Sequence, residues 1–293
     1  MMRHAVLGAG GVGAFLGAGL ARARRHVLLL MREESLKRYR GVLRLESVLL
    51  GDFEVELPAA PRLEGPVDVL WVATKATQLA NALERVPEAA AEDSVIVPLL
   101  NGLDHVELLR WRFGPISVLP ASITIESERV EPGLVRQLSN FASVMLSPAP
   151  QAEDLRAELV DAGIAASVGE SEASVLWEKL AMLAPIALTT TLRGSELGGV
   201  VADPVWRRRL EGCIHETAAA AHEDGVALDP EAMIARIESL PPEIRSSMQK
   251  DREAGRPTEI DAIGGSVLRA AARHGLDAPA TRALVDGIRA GEP

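Results

Sequence analysis

The feature that most constrains the fold is the run Gly8-Ala9-Gly10-Gly11-Val12-Gly13, set between the apolar segment His4–Leu7 and the small, apolar stretch Ala14–Ala23. Strand, glycine-rich turn and helix in that order have a physical reading. Gly8 permits a tight turn, Gly10 lets backbone approach a phosphate, and Gly13 lets the helix pack against the strand. The helix that follows presents unpaired N–H groups and the positive end of its dipole to an anion. The pattern predicts that Gly8, Ala9, Gly10, Gly11, Val12 and Gly13 cradle the pyrophosphate of a nicotinamide dinucleotide.

The choice between the two nicotinamide dinucleotides is read at the end of the second strand, where an acid would grip unphosphorylated ribose hydroxyls. Here Val27–Met31 ends in Arg32, whose guanidinium suits a 2′-phosphate. Glu33 and Glu34 follow at once and would oppose that pairing if they faced inward. NADPH is the expected cofactor.

The first half alternates apolar runs with helical segments: His4–Leu7, Val27–Met31, Val67–Ala73, Ser94–Pro98 and Ser117–Leu119 read as buried strands. Such alternation predicts a parallel sheet wrapped by helices. Val42–Glu46 and Phe53–Leu57 read as a small antiparallel insertion or edge, a second hairpin-like region follows Pro132-Gly133 and ends near Leu146, and these are expected to extend the same sheet antiparallel. Gln151–Asp161 closes this half as a helix, with Ala165–Val168 as its last strand. From Ser171 the pattern is helical: Ser171–Leu192, Pro204–Asp224, Pro230–Ser239 and Thr258–His274. The expected fold is α/β: a Rossmann-type, doubly wound dinucleotide-binding domain over 1–168, then an all-helical substrate domain over 169–293.

Bulk properties narrow the function classes. A formal charge of −10 would repel a phosphate backbone, and no basic patch stands out, so nucleic acid and anionic membrane are not expected partners. The single cysteine, Cys213, excludes an internal disulfide and a multi-cysteine metal site, and fits a reducing, cytoplasmic compartment. No metal is expected. Gly8–Gly13 interrupts the first apolar stretch, so no signal peptide is read there, and the uncharged run Leu180–Leu192 is shorter than the roughly 20 residues that cross a bilayer. A homodimer through the helical half is a possible assembly for which the sequence carries no signature.

Only four of the 31 basic residues are lysines: Lys37, Lys75, Lys179 and Lys250. Unlike arginine, an amine can release a proton near neutrality when desolvated. Lys75 follows the strand Val67–Ala73, and Asn101-Gly102 follows the strand after it, so both fall where open α/β sheets place ligands. Lys179 lies in the most apolar helical stretch of the second half, Val175–Leu183. Burial there would lower its pKa, so that one group could both stabilise and protonate a developing alkoxide. Carbonyl reduction needs both.

These segments resemble the ketopantoate reductase (2-dehydropantoate 2-reductase) family over nearly the whole chain. The matching residues are the glycine turn, Arg32, Thr74-Lys75-Ala76 with Gln78, Leu100-Asn101-Gly102, Leu176-Trp177-Glu178-Lys179-Leu180, and Arg245-Ser246-Ser247-Met248 leading to Asp251 and Gly255-Arg256-Pro257-Thr258-Glu259-Ile260-Asp261. The resemblance implies NADPH-dependent reduction of a 2-keto acid, ketopantoate to pantoate in pantothenate biosynthesis or a related small carbonyl compound. It implies Lys179 and Glu259 as catalytic residues, with Asn101, Ser247, Glu259 and Lys179 at the substrate and Lys75 and Asn101 at the cofactor. Read on its own spacing, Thr258 with Asp261 looks like a capping box, which would put Glu259 in a helix first turn where an acid is stabilising anyway.

The chain departs from the family in the same helix. Family members usually carry asparagines four and eight residues after the lysine, on one helix face. Leu183 and Ala187 stand there, with Thr190 as a hydroxyl further along, Leu100 where glutamine is common and Gly264 where asparagine is common. Losing buried amides changes which substrate a pocket accepts. Two other functions share these features: a non-catalytic NADP-binding sensor, and a 3-hydroxyacid or opine-type dehydrogenase.

Overall fold

The computed structural model describes residues 2–291 and divides into two compact units. Unit 1 comprises Met1–Leu100 and His105–Val175; unit 2 comprises Asn101–Asp104 and Leu176–Pro293. The short loop Asn101–Asp104 thus belongs with the helical unit although the chain on both sides of it does not.

Unit 1 is built on a parallel sheet of five strands: β1 (Arg3–Leu7), β2 (His26–Leu30), β5 (Ala59–Ala60), β6 (Val69–Val72) and β7 (Val95–Pro98), in the order β5-β2-β1-β6-β7. Chain order reverses between β1 and β6, the point at which such sheets open a crevice for ligand. Register aligns Val6 with Leu29 and Trp71, and Trp71 with Val97, so these four share one face. Leu7, Leu30, Leu70 and Ile96 point the other way and are equally buried, as a sheet covered on both faces requires.

The antiparallel segments do not extend this sheet, as the sequence had suggested. They form a second one. Strands β3 (Val42–Ser47) and β4 (Phe53–Glu56) make a hairpin, and β8 (Ala121–Glu131) pairs antiparallel with β9 (Leu134–Leu146). The other edge of β9 is taken in parallel by β3 and by β10 (Ala165–Val168). The expected strand Ser117–Leu119 shrinks to a single bridge, Val118 with Ile96, because Pro115 and Pro120 bracket it and bring no N–H to a ladder.

Helix α1 (Gly11–Arg22) lies in the core between these two sheets, packing against β1 and β2 of one and β3, β4, β8 and β9 of the other. Every residue from Gly13 to Leu20 is buried, which explains why the helix is made of Gly, Ala, Leu and Phe rather than being two-faced. Burying Phe15, Leu16 and Leu20 contributes roughly 1.5–3 kcal/mol each. Five further helices complete the unit: α2 (Glu33–Leu36), α3 (Leu79–Leu83), α4 (Glu88–Ala91), α5 (His105–Phe113) and α6 (Ala152–Asp161).

Helix α7 (Glu172–Arg193) runs from unit 1 into unit 2. By length and composition it could cross a bilayer, but it is mostly buried inside the protein, as a core helix is. Unit 2 adds α8 (Leu197–Ala202), α9 (Pro204–Glu223), α10 (Pro230–Glu238), α11 (Ser247–Glu253), α12 (Ser266–Arg273) and α13 (Pro279–Ala290). Proline in the first turn and an aspartate cap start two of them: Asp203 accepts from Val205 N and Trp206 N, and Asp229 from Glu231 N and Ala232 N. The expected continuous helix Thr258–His274 is interrupted. Residues Asp261–Gly265 form a π turn before α12 begins.

One polar group is sealed into the core of unit 1. Nδ1 of His4 accepts from Trp71 Nε1 at 3.2 Å, and its Nε2 lies 2.8 Å from Glu158 Oε2, while Arg25 Nε lies 3.1 Å from the other oxygen, Glu158 Oε1. With Nδ1 accepting, the single proton of the neutral ring faces the carboxylate. Burial, reinforced by Arg25, pushes His4 down from 6.5 to about 4. Its contribution to stability is therefore complete above pH 6.5 and lost as pH falls toward 4; at about 1.36 kcal/mol per tenfold change in proton affinity it is worth up to about 3 kcal/mol. Urea unfolding at pH 7 and pH 4 should show a smaller acid-induced loss for His4→Gln than for the parent. Equal losses would mean that His4 does not titrate as described.

Candidate active site

In unit 1 the glycine turn is held by contacts that leave no room for side chains at some positions and open space at another. Gly8 has φ +103°, and a Cβ there would sit 2.8 Å from Thr74 Cγ2 and 2.9 Å from the Ala73 carbonyl oxygen. A Cβ on Gly13 would land on the Gly8 carbonyl and 2.9 Å from Val6 Cγ1, so this glycine sets the approach of α1 to β1. Gly11 is equally confined, by the Ser127 carbonyl on β8, a long-range demand that the local sequence could not announce. Gly10, the residue before α1, meets nothing within 4 Å. Close helix packing on both sides with an open backbone at the helix start is what a bound pyrophosphate needs. Two buried hydroxyls beside the turn, Thr74 Oγ1 and Ser127 Oγ, have no hydrogen-bond partner among the described residues. These residues fit a dinucleotide.

Arg32 is exposed at the start of α2, with Glu33 and Glu34 exposed in the first turn behind it. Two further guanidiniums lie close enough to Arg32 to feel its charge. Burial, then Arg32, holds Arg85 below the ordinary arginine range, and burial, then Arg32 and Arg38, does the same to Arg129. Arg129 Nη1 reaches the Ala9 carbonyl at 3.5 Å and Ser35 Oγ at 3.4 Å, while Nη1 of Arg85 is buried with no hydrogen-bond partner among the described residues. Neither Arg85 nor Arg129 was identifiable from sequence, since each comes from an element remote from Arg32. Lys75 is half-buried at the start of a single 3₁₀ turn, Ala76–Gln78.

In unit 2 the structure brings Asn101, Lys179 and Glu259 together. Asn101 Nδ2 donates to Glu259 Oε2 at 3.1 Å, and the Glu259 carboxylate is buried. Lys179 is half-buried on α7; burial pushes its ammonium down from 10.5 to about 8, against the opposing pull of Glu259. A lysine so tuned is still largely protonated at neutral pH and gives up its proton readily. Glu259 is not in a first helical turn. It is the residue before helical structure begins at Ile260, its carbonyl accepts from Ile263 N at 2.9 Å, and the Asp261 carboxylate of the supposed capping box is engaged by Arg269 and Arg289. Ser247 stands apart as the exposed first residue of α11.

The chain matches the family described as "Ketopantoate reductase PanE/ApbA" over residues 4–151, and the C-terminal domain of the same family over residues 173–292. It belongs to the ketopantoate reductase family. Members are NAD(P)-dependent oxidoreductases. An uncharacterised oxidoreductase of Bacillus subtilis, YkpB, is 32% identical over 290 residues, covering 95% of each chain. The 2-dehydropantoate 2-reductase of Mycobacterium tuberculosis is 31% identical over 233 residues, covering 77% of each. Among solved structures, a PanE/ApbA family ketopantoate reductase of Ralstonia eutropha superposes with TM-score 0.90 at 26% identity, over 99% of this chain and 98% of its own. D-mandelate dehydrogenase with NADH and anilino(oxo)acetate shares the fold at TM-score 0.88 and 22% identity, over 99% and 98%.

Against that family, the departures have structural counterparts. Ala187 is fully buried, Leu183 is half-buried one turn beyond Lys179, and a Cβ on Gly264 would meet Val285 Cγ2 at 2.5 Å and Leu188 Cδ2 at 3.0 Å. Helices α7 and α13 have closed on the Gly264 position, so no larger side chain fits it. Thr190 does not offer a free hydroxyl either: its Oγ1 donates to the Ile186 carbonyl at 2.7 Å and lies 3.1 Å from Ser246 Oγ, the cap of α11.

The contrast between glycines is testable by stability alone. Gly13→Ala should lose about 1–3 kcal/mol in urea unfolding, the usual range for overpacking. Gly10→Ala, facing open space, should lose less than about 1 kcal/mol, the scale of a weakened helix start. Equal losses would contradict the packing described.

Proposed function

We propose that the chain is an NADPH-dependent reductase of a 2-keto acid, with Lys179 as the group that protonates the new alkoxide. The observation that carries this reading is the half-buried amine of Lys179, brought to about 8 and set with a buried carboxylate and an amide. The dinucleotide, when bound, supplies the hydride that reaches the keto carbon. Lys179 compensates the charge that develops on the oxygen and then delivers the proton. Asn101 offers an amide for the polar groups of the substrate, and Glu259 keeps the lysine in its ammonium form.

Cofactor preference rests on unit 1. Arg32 makes no ion pair or hydrogen bond with its side chain among the described residues, and the guanidiniums it influences, Arg85 and Arg129, add to the attraction for a 2′-phosphate. The substrate preference rests on α7. Leu183 and Ala187 favour a keto acid with an apolar side chain, and ketopantoate, with its hydroxyl, is the informative comparison.

The test is NADPH consumption over a panel of 2-keto acids that includes ketopantoate and branched and aromatic members. Turnover is expected, with the higher kcat/KM on an apolar side chain; no oxidation of NADPH with any member would refute the reading. Lys179→Ala should lower kcat by about 10²–10⁴. Because the donor must be protonated, kcat/KM for reduction should be flat below pH 8 and fall as pH rises through it. A profile without that alkaline limb would remove Lys179 as the donor. Arg32→Ala should weaken 2′,5′-ADP binding by roughly tenfold or more, the scale of a lost charged hydrogen bond, with 5′-AMP unaffected. Equal weakening of both would place Arg32 outside the 2′-phosphate contact.

A further inference from the structure

The hydrogen bond from Asn101 to Glu259 joins two segments far apart in the chain, and something must hold them in register. The loop Asn101–Asp104 is seated directly on the π turn that follows Glu259. Gly102 has φ +86°, and a Cβ there would land on the Ala262 carbonyl, with Ser266 Oγ only 3.0 Å away. Leu103 N donates to Ser266 Oγ at 3.3 Å, and Ser266 Oγ donates to Asp104 Oδ2 at 2.5 Å.

Arg269 closes the arrangement. On one side its Nη2 donates to Asp104 Oδ2 at 2.7 Å and its Nε to Asp104 Oδ1 at 3.3 Å. On the other, its Nη1 donates to Asp261 Oδ1 at 3.0 Å and its Nη2 to the Asp261 carbonyl at 2.8 Å. One guanidinium thus grips the end of the Asn101 loop and the first residue of the π turn, two residues beyond Glu259. A fixed, planar fork suits this double attachment; a lysine, with a single nitrogen, does not. Burial alone would raise the Asp104 carboxyl, and the bonds from Arg269 and Ser266 overcome it and hold Asp104 below the ordinary range. Register slips of the π kind recur at functional sites, and this one turns the chain just where Glu259 has to be aimed.

We propose that Arg269 is a positioning residue: by clamping Asp104 to Asp261 it holds the Asn101 amide on the Glu259 carboxylate beside Lys179. The kinetic consequence rests on the reductase reading above; the geometric one does not. If Arg269 acts through Asn101, removing both groups costs no more than removing Asn101 alone.

The experiment compares the full chain with Arg269→Ala, Arg269→Lys, Asn101→Ala and the double variant Arg269→Ala/Asn101→Ala, in two measurements. The first is steady-state reduction of the best 2-keto acid with NADPH. Arg269→Ala should raise KM about tenfold with a smaller change in kcat, the scale of one lost hydrogen bond, Arg269→Lys should recover part of it, and the double variant should match Asn101→Ala within about twofold. The second needs no turnover: the pH midpoint for acetylation of Lys179 by acetic anhydride, read by mass spectrometry. Arg269→Ala and Asn101→Ala should displace the midpoint in the same direction, and the double variant no further. An unchanged midpoint in Arg269→Ala, or effects that add in the double variant, overturns the proposal. If Arg269→Ala fails to fold, Asp104→Asn takes its place with the same expectations. Loss of all turnover in the parent with non-additive labelling would sink the reductase reading and leave the clamp standing; turnover with additive labelling would do the reverse.

Discussion

An ammonium placed in an apolar helix loses hydration that only nearby negative charge or dipoles can replace. For Lys179 the charge is the Glu259 carboxylate, itself buried and tethered by the Asn101 amide. Neither partner is local to the lysine. Glu259 is delivered by the entry to a π turn and Asn101 by a loop whose own chain neighbours belong to the other unit. The chemistry proposed for unit 2 therefore depends on tertiary register more than on any motif. An error of one residue in the π turn would point Glu259 elsewhere while leaving every motif in the sequence intact.

Unit 1 is governed by a different constraint, the thickness available to a helix caught between two sheets. With strands on both sides, the stretch Gly13–Leu20 of α1 has no solvent face, and the helix thins itself with glycine where the approach is closest. Gly13 faces β1, Gly11 faces the Ser127 carbonyl of β8, and a Cβ on Gly17 would meet Leu29 Cδ2 at 3.0 Å. The familiar explanation of a glycine-rich turn invokes the ligand alone. In this chain packing accounts for Gly11 and Gly13, whereas a Cβ on Gly10 would meet nothing within 4 Å.

What was readable in the sequence follows the range of the interaction responsible. The glycine turn, the parallel strands with apolar runs, and the helices that begin at Pro204 and Pro230 are local signals, and all were recognisable. The second sheet was not, because its construction depends on β9 accepting β3 and β10 along one edge, pairings between distant segments with no local mark. Ser117–Leu119 looked like a strand by composition and was undone by its flanking prolines. Thr258 with Asp261 resembled a capping box because spacing cannot reveal that Arg269 and Arg289 claim the aspartate. Of the candidate site, Lys179, Glu259 and Asn101 were named from sequence and are gathered by the fold. Arg85, Arg129 and Arg269 were indistinguishable from the many surface arginines of a chain that uses arginine for nearly every cation.

The departures from the family's amides bear on whether the site is altered or abandoned. Gly264 cannot be read as a vacant polar position, since Leu188 and Val285 already occupy the space a side chain would need. Ala187 is likewise sealed in the helical core. The changes are mutually consistent repacking around an amine that stays in place. Keeping that amine has a cost: a displacement from 10.5 to about 8 corresponds to roughly 3 kcal/mol against folding at neutral pH, a sizeable fraction of a domain's stability. A leucine or methionine at the same place would remove the cost. A pocket that only held a nucleotide would gain from that exchange, whereas one that must protonate an alkoxide could not accept it. The physical balance therefore favours the proposed reductase over a sensor that has lost its chemistry.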